Sequence, residues 1–340
     1  MHEQTLTLKY CDINKIIPQF TKCEFLVVNG TEDDRSSLPF GSNYLENVDH
    51  LLLLGSHLSH NASLVDEGVL HMKKRYPGVI KYYNFLRSNK SAPVKVKRKV
   101  LKSCVMTSLL HNCEAFGFEI PKDLESTYMK LMKSCFNVRA NTPNFILYIE
   151  SGLLPIKFLI YLRQYNFYQR FRSSIERNSR RERMMDALLG DLTKYLKHYE
   201  WLSSQYTSGV DILQEGLNFV KDKIRSFAAN GRSKYISYLK INPNLDPSPF
   251  LHIIHPIAID IIRFRVGSHY LPIETGRWAR KQRNERLCTT CGVVGDEEHA
   301  IYDCSLISRH DIVSVQEIDQ LWHQPEVYKL FTRMKLAKLL

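Results

Sequence analysis

The spacing of apolar residues changes period near residue 62. Upstream of it, the short aliphatic or β-branched runs Glu24–Val28 and Leu51–Leu54 are separated by the turn-rich stretch NGTEDDRSSLPFGSN. Runs of that kind, bounded by Gly, Asn, Asp and Pro, predict a few strands with a loop between them. Downstream the period is helical: in KVLKSCVMTSLLHNC, Val100, Leu101, Cys104, Val105, Leu109, Leu110 and Cys113 fall on one side. The same reading predicts helices over 122–136, 155–178, 181–200 and 208–229, several with arginines on the outer face. INPNLDPSPF, Ile241 to Phe250, carries three prolines and reads as a linker. A helix is expected around Pro256 to Arg265. The tail from Pro325 to Leu340 is basic and amphipathic, its Val327, Leu330, Phe331 and Met334 expected to dock on the same protein, with a partner surface as the alternative. The pattern predicts a mainly α fold with a small β-containing N-terminal piece.

The chemistry is concentrated in RLCTTCGVVGDEEHAIYDC, where Cys288, Cys291, His299 and Cys304 stand as C-x2-C-x7-H-x4-C. Zinc takes four thiolate or imidazole ligands in a tetrahedron, and a C-x2-C turn aims two thiolates at one centre while the later His and Cys close it. Gly292 relieves the backbone directly after the second cysteine, and Ile301 and Tyr302 give apolar cover. A C-terminal zinc knuckle is therefore expected, with Zn as its cofactor. Cys11, Cys23, Cys104, Cys113 and Cys135 are expected to be free, buried thiols. The first thirty residues are too polar for a signal peptide, and no apolar run approaches the roughly 18 residues of a membrane span. The expected location is intracellular, in nucleus or cytoplasm, with no membrane partner.

Charge changes the picture further. The formal net charge is +12, and its distribution is uneven. From Lys73 to Cys113 there are eleven Lys or Arg and no Asp or Glu, whereas the first fifty residues hold eight acids against four bases. Cations interleaved with Tyr76, Tyr82, Tyr83 and Phe85 suit a surface that neutralises phosphates and stacks on bases, so RNA, DNA or an RNA–DNA hybrid is the expected partner. KVKRK, Lys95 to Lys99, also has the composition of a nuclear-entry signal. His252 and His255 share one helical face, but no nearby carboxylate or cysteine completes a metal site with them. No nucleophile elbow, phosphate-binding Gly loop or dinucleotide fingerprint is present.

The order of these features resembles the C-terminal part of non-LTR (LINE-type) retrotransposon reverse transcriptases. RFRVGSHYLPIETGRWARKQRNERLCTTCGVVGDEEHAIYDC, Arg263 to Cys304, is similar to the arginine-led approach and CCHC knuckle of that family. NVDHLLLLGSHLS is similar to its primer-grip hairpin, with Leu54 and Gly55 at the Leu-Gly step, and the basic helices that follow are similar to its thumb. NTPNFILYIESGLLPIKFLIYLRQYNFYQR, Asn141 to Arg170, resembles the segment after the thumb, with its Glu-x-Gly turn at Glu150 and Gly152. DINKIIPQFTKCEFLVVN resembles more loosely the last strand region of the palm.

The resemblance implies a palm-end and primer-grip remnant over 1–60, a helical thumb-like domain over 61–205 and a helical linker region over 206–275. A CCHC knuckle over 276–310 and a basic tail over 311–340 complete it. It also implies fingers, a catalytic palm and any nicking nuclease before Met1, so that this chain would match a 5′-truncated element. The two metal-binding aspartates that such enzymes use to clamp the reacting oxygens have no counterpart on an aliphatic hairpin; the only Asp-Asp pair is Asp33–Asp34, in a polar loop. No catalytic residue is assigned, and the chain alone is expected not to polymerise. By the same resemblance, Lys95, Lys97, Arg98, Lys99 and Lys102 would contact phosphates from the thumb, and Arg277, Arg280, Lys281, Arg283 and Arg286 would hold RNA or target DNA at the knuckle. Trp278 would either stack on a base or anchor the knuckle to the helices. Two further readings stay open: a zinc-stabilised helical module that binds proteins, and an expressed remnant without function.

Overall fold

The computed structural model describes residues 9–19, 22–28, 30–40, 43–53, 56–61, 64–116, 120–175, 193–255, 257–306, 321–323 and 326–336. Two antiparallel pairs of short strands open it. β1 (Leu38–Phe40) pairs with β2 (Asn43–Leu45), Leu38 opposite Leu45; β3 (His50–Leu53) pairs with β4 (Ser56–Ser59), His50 opposite Ser59. A hairpin thus stands at the segment likened to a primer grip; its Leu54 and Gly55 lie outside the described residues. Two expectations change here. The turn-rich stretch contains β1, and Glu24–Val28 is not a strand but makes one isolated bridge, Phe25 to Asn47. Val28 is half exposed, so burial does little to hold that run in extended pairing.

Helices follow in sequence: α1 (Leu64–Ser88), then α2 (Val94–Val100), which continues through a π-helical turn at Leu101–Met106 into Thr107–Leu109. The π turn alters the expected face. Its wider i→i+5 pitch re-phases the helix, so Leu101, Val105 and Met106 are buried while Cys104 is exposed rather than a buried thiol. Cys113 and Cys135 are free and buried, and Cys11 and Cys23 are free and half-buried. α3 (Cys113–Phe116) and α4 (Lys122–Cys135) lead to α5 (Asn144–Ser151), which Gly152 closes in the left-handed region at φ +58°. α6 (Ile156–Ile175) and α7 (Thr193–Gln205) take up the described parts of the helices expected at 155–178 and 181–200; residues 181–192 lie outside the described residues. α8 (Gly209–Ala229) starts on a capping box between Ser208 and Asp211. α9 (Ser233–Ile241), α10 (Ala258–Arg265), α11 (Pro272–Trp278), α12 (Glu297–Tyr302) and α13 (Glu326–Leu336) complete the mainly helical fold.

The main apolar core runs from Met72 on α1 to Met334 on α13 and takes in Cys288 and Cys304; a second, smaller cluster of Phe158, Tyr165, Leu202, Tyr206 and Ile212 joins α6, α7 and α8. The boundaries expected at 205/206, 275/276 and 310/311 do not divide the main core. The tail helix docks as its pattern predicts: Val327, Leu330, Phe331 and Met334 are buried, Phe331 meets Phe264 edge-on at 5.0 Å, and Trp322 Nε1 donates to Ile241 O at 2.9 Å. No single helix among the described residues is long and apolar enough to cross a membrane. α5 and the first part of α6 would be so only as a pair bent by 55°, and their Ile146, Leu147, Ile149, Ile156 and Ile160 lie in the core.

Candidate metal centre and basic surfaces

The cluster is built by three local devices. Leu287 and Val294 form an antiparallel bridge, Cys288 N donates to Val293 O at 2.7 Å and Gly292 N to Cys288 O at 2.9 Å, which folds C-x2-C into a tight turn with Gly292 at φ +71°. Gly suits that position because it alone carries no Cβ penalty there. Asp296 then caps α12, its carboxylate accepting from His299 N at 3.1 Å, and Cys304 N returns to His299 O at 2.8 Å just past the helix end. The outcome is that Cys288, Cys291, His299 and Cys304 each bring one ligand atom within 4.8 Å of the others.

This arrangement can hold a metal ion and is consistent with zinc. Two Zn–S bonds of about 2.3 Å at the tetrahedral angle place their sulfurs roughly 3.8 Å apart, and Cys288 Sγ lies 3.9 Å from Cys304 Sγ. Both ring nitrogens of the buried His299 lack a hydrogen-bond partner among the described residues, a cost that a coordinating cation removes. Cys291 Sγ is supported by the Ser305 hydroxyl at 3.2 Å and the Ser305 N–H at 3.4 Å, and these bonds hold its thiol below the usual range. Burial, and then the neighbouring cysteines, push the Cys304 thiol up to about 11. Three thiolates so close need a cation to coexist. Four protein ligands leave no open position, which is the pattern of a structural rather than a catalytic centre.

The module is fastened to the helical body by polar contacts. Ile273 N donates to Gly295 O at 3.1 Å, and Gly295 N to Arg286 O at 2.9 Å. Leu271 N donates to His269 Nδ1 at 3.3 Å, which leaves Nε2–H to donate to Glu297 Oε1 at 3.0 Å, both residues being buried. Burial alone would raise the Glu297 carboxyl; the His269 bond holds it below its ordinary value. Arg286 crosses Gly276, where a Cβ would stand 2.4 Å from Arg286 Cγ, and its guanidinium donates to Lys281 O and Ile273 O.

The basic residues divide in a way the sequence reading did not foresee. Lys95 and Lys99, one turn apart on α2, and Lys102, in the π turn that follows, are exposed. Lys102 has a lowered pKa from partial burial and from the adjacent Arg98 charge. Lys97 points the other way: it is 5% exposed, and its Nζ donates to Lys90 O at 2.8 Å. Helical spacing requires this, since Lys97 stands about half a turn from Lys95 and Lys99. Arg98 is half-buried with Nη2 3.4 Å from Gly152 O. At the knuckle, Arg280 and Lys281 are exposed. Arg277 pairs with Glu274, Arg283 with Asp296 at 3.0 Å, and Arg286 is the internal staple described above. The five arginine and lysine positions expected at the knuckle therefore do not form one free surface. Trp278 lies under the Arg139 guanidinium, 3.2 Å from its ring centroid, which is its anchoring role.

A cleft of about 1110 Å³ escaped the sequence reading. It is lined by cations from α1, the α1–α2 connection, α2, α4, α10 and α13, with Asp260 as the one acid among the described residues that line it. Its parts lie up to hundreds of residues apart in the chain, so only the packing brings them together. The Asp33–Asp34 pair sits in a short 3-10 turn, Asp34 accepting from the Thr31 hydroxyl at 2.7 Å. His252 and His255 are exposed, His255 resting on Tyr328 at 4.7 Å. No protein-family model, curated protein or solved structure matches this chain.

Proposed function

We propose that this chain is a nucleic-acid-binding protein whose C-terminal module is organised by a structural zinc ion at Cys288, Cys291, His299 and Cys304. In this reading it holds RNA or an RNA–DNA hybrid through phosphate contacts, as the C-terminal part of a LINE-type reverse transcriptase does, and it carries no polymerase centre. The observation that carries the reading is the outer face of α2. Lys95 and Lys99, and Lys102 just beyond it, are exposed, within a stretch of forty-one residues, Lys73 to Cys113, that contains no acid. An ordinary solvated helix face mixes both signs, whereas an acid-free one attracts a polyanion.

The test is binding of the zinc-loaded chain to a labelled RNA–DNA hybrid across a salt series, repeated after chelation, alongside a primer-extension assay. Affinity that falls steeply with salt supports the reading. An absence of binding at low salt would leave the zinc-stabilised protein-interaction module, and template-directed synthesis would overturn the assignment of no polymerase activity.

A further inference from the structure

The cleft between the end of α1, the start of α2, the end of α4, α10 and α13 has its own electrostatics. Among the described residues its cations are Arg87, Lys90, Lys97, Lys133, Arg139, Arg263 and Lys335, and its one carboxylate belongs to Asp260. Asp260 is already shared between Arg263 at 3.2 Å and Lys335 at 2.7 Å. Among the described residues, two of its ammonium groups are held by backbone carbonyls: Lys97 Nζ by Lys90 O at 2.8 Å, and that of the half-buried Lys133 by Ala140 O at 2.6 Å. Lys97 is the decisive group, being 5% exposed, lining the cleft, and having no carboxylate in salt-bridge range among the described residues. A buried charge without a counter-ion is costly. An anion in the cleft would relieve it. Burial depresses the pKa of both Lys97 and Lys133, which a bound anion would reverse.

The shape bears on which anion. An open cleft of about 1110 Å³ has room for an extended strand of a few nucleotides, and a strand free of its complement can bend into such a recess and bring its bases against side chains. Tyr83 and Tyr270 line the same cleft; Tyr83 is partly buried against the core, and Tyr270 is half exposed with the Arg139 guanidinium 4.6 Å from its ring centroid, so at most its other face is open to a base. We infer that this cleft is a second nucleic-acid site, specific for a single strand and separate from the outer face of α2. Lys97 and Lys133 would clamp its phosphates, with the half-exposed Tyr270 at its edge. This rests on the reading of the chain as a nucleic-acid binder.

The experiment compares a labelled hexanucleotide single strand with an RNA–DNA hybrid duplex on the zinc-loaded full chain. Arg87→Glu/Lys90→Glu alters only exposed positions at the rim and is expected to keep the fold, confirmed by an unchanged thermal transition. It should weaken hexanucleotide binding at least tenfold and leave duplex affinity within twofold. Lys95→Glu/Lys99→Glu should do the opposite. Lys97→Met, which keeps the apolar stem in its buried place, should weaken the single strand as the rim variant does. If the rim variant leaves hexanucleotide affinity unchanged while the duplex still binds, the cleft assignment is wrong and the broader reading stands. If neither nucleic acid binds the unmodified chain, both fall.

Discussion

Glu150 and Arg265, 115 residues apart, form a fully buried bidentate ion pair: Arg265 Nε donates to both carboxylate oxygens at 3.0 and 2.9 Å, and Nη2 to Oε1 at 2.7 Å. Tyr238 donates to the same carboxylate at 2.9 Å, Ser248 N donates to the Glu150 carbonyl at 3.2 Å, and the Arg265 guanidinium lies 4.7 Å from the centre of the Trp322 ring. Glu150 and Arg265 between them thereby tie together α5, α9, α10, the linker and the tail region. With the continuous apolar core, this makes the thumb-like and linker segments one folded body.

Removing one member of such a pair leaves the other charged and dry. Glu150→Ala should therefore destabilise the protein by about 3–5 kcal/mol, read as a shift of the urea midpoint with little change in slope. Replacing both, Glu150→Leu with Arg265→Met, should cost less than either single change, because no unpaired charge remains. A single substitution that costs under about 1 kcal/mol would show that the pair does not hold these elements together.

What could be read from the sequence divides along physical lines. Helix positions, the docking of Val327, Leu330, Phe331 and Met334, and the four cysteine and histidine ligands were legible, because each depends on local period or ligand spacing. Glu150 was legible only as a turn position; its partner Arg265 is set by packing across the whole body. The exposure of Cys104 was hidden because the π turn at Leu101–Met106 breaks the regular period, and the turn-rich stretch hid β1, whose Leu38–Phe40 needs the pairing with Asn43–Leu45 to be extended at all. Charge counting found the basic segment but could not tell Lys97 from Lys95, since it takes the fold to show which side of α2 faces the core.

His71 on α1 gives the folded state a pH dependence. It is buried, its Nε2 lies 3.0 Å from Leu109 O, and burial, opposed only in part by that bond, lowers its pKa from 6.5 to about 4. The folded pKa is depressed, so the unfolded chain binds the proton first as pH falls. The stabilisation is fully present above about pH 6.5 and is lost progressively as pH drops towards 4, a span worth on the order of 3 kcal/mol. Chemical denaturation at pH 7.5, 6, 5 and 4 should show this decline, and His71→Gln should flatten that part of the profile. An identical pH profile in the variant would remove His71 as its origin.

Metal removal tests the centre independently of nucleic acid. The module from Arg280 to Cys304 has few apolar residues of its own, so bound zinc should supply much of its folding free energy, on the order of 10 kcal/mol at neutral pH. Purified chain should carry one zinc per molecule. Chelation, or His299→Ala, should expose Arg280, Lys281 and Arg283 to rapid trypsin cleavage while the helical signal in circular dichroism stays largely intact. Because Cys288 and Cys304 belong to the main core, a modest loss of overall stability should accompany it. Metal content well below one per chain with unchanged protease resistance would show that the cluster folds without an ion.

The outer face of α2 makes a quantitative claim about salt. Each phosphate neutralised by a cation contributes roughly 0.9 to the slope of log affinity against log salt on a duplex. Lys95, Lys99 and Lys102 are exposed, so replacing all three by alanine should lower that slope by about 2–3 for an RNA–DNA hybrid. Stability should change by no more than about 0.5 kcal/mol, as expected for surface positions. Arg286→Ala is the informative contrast. Its guanidinium is spent on Lys281 O and Ile273 O, so its loss should loosen the metal module without a slope change of its own. If the triple variant keeps the full slope, the phosphates are held elsewhere, and the acid-free stretch owes its composition to something other than this surface.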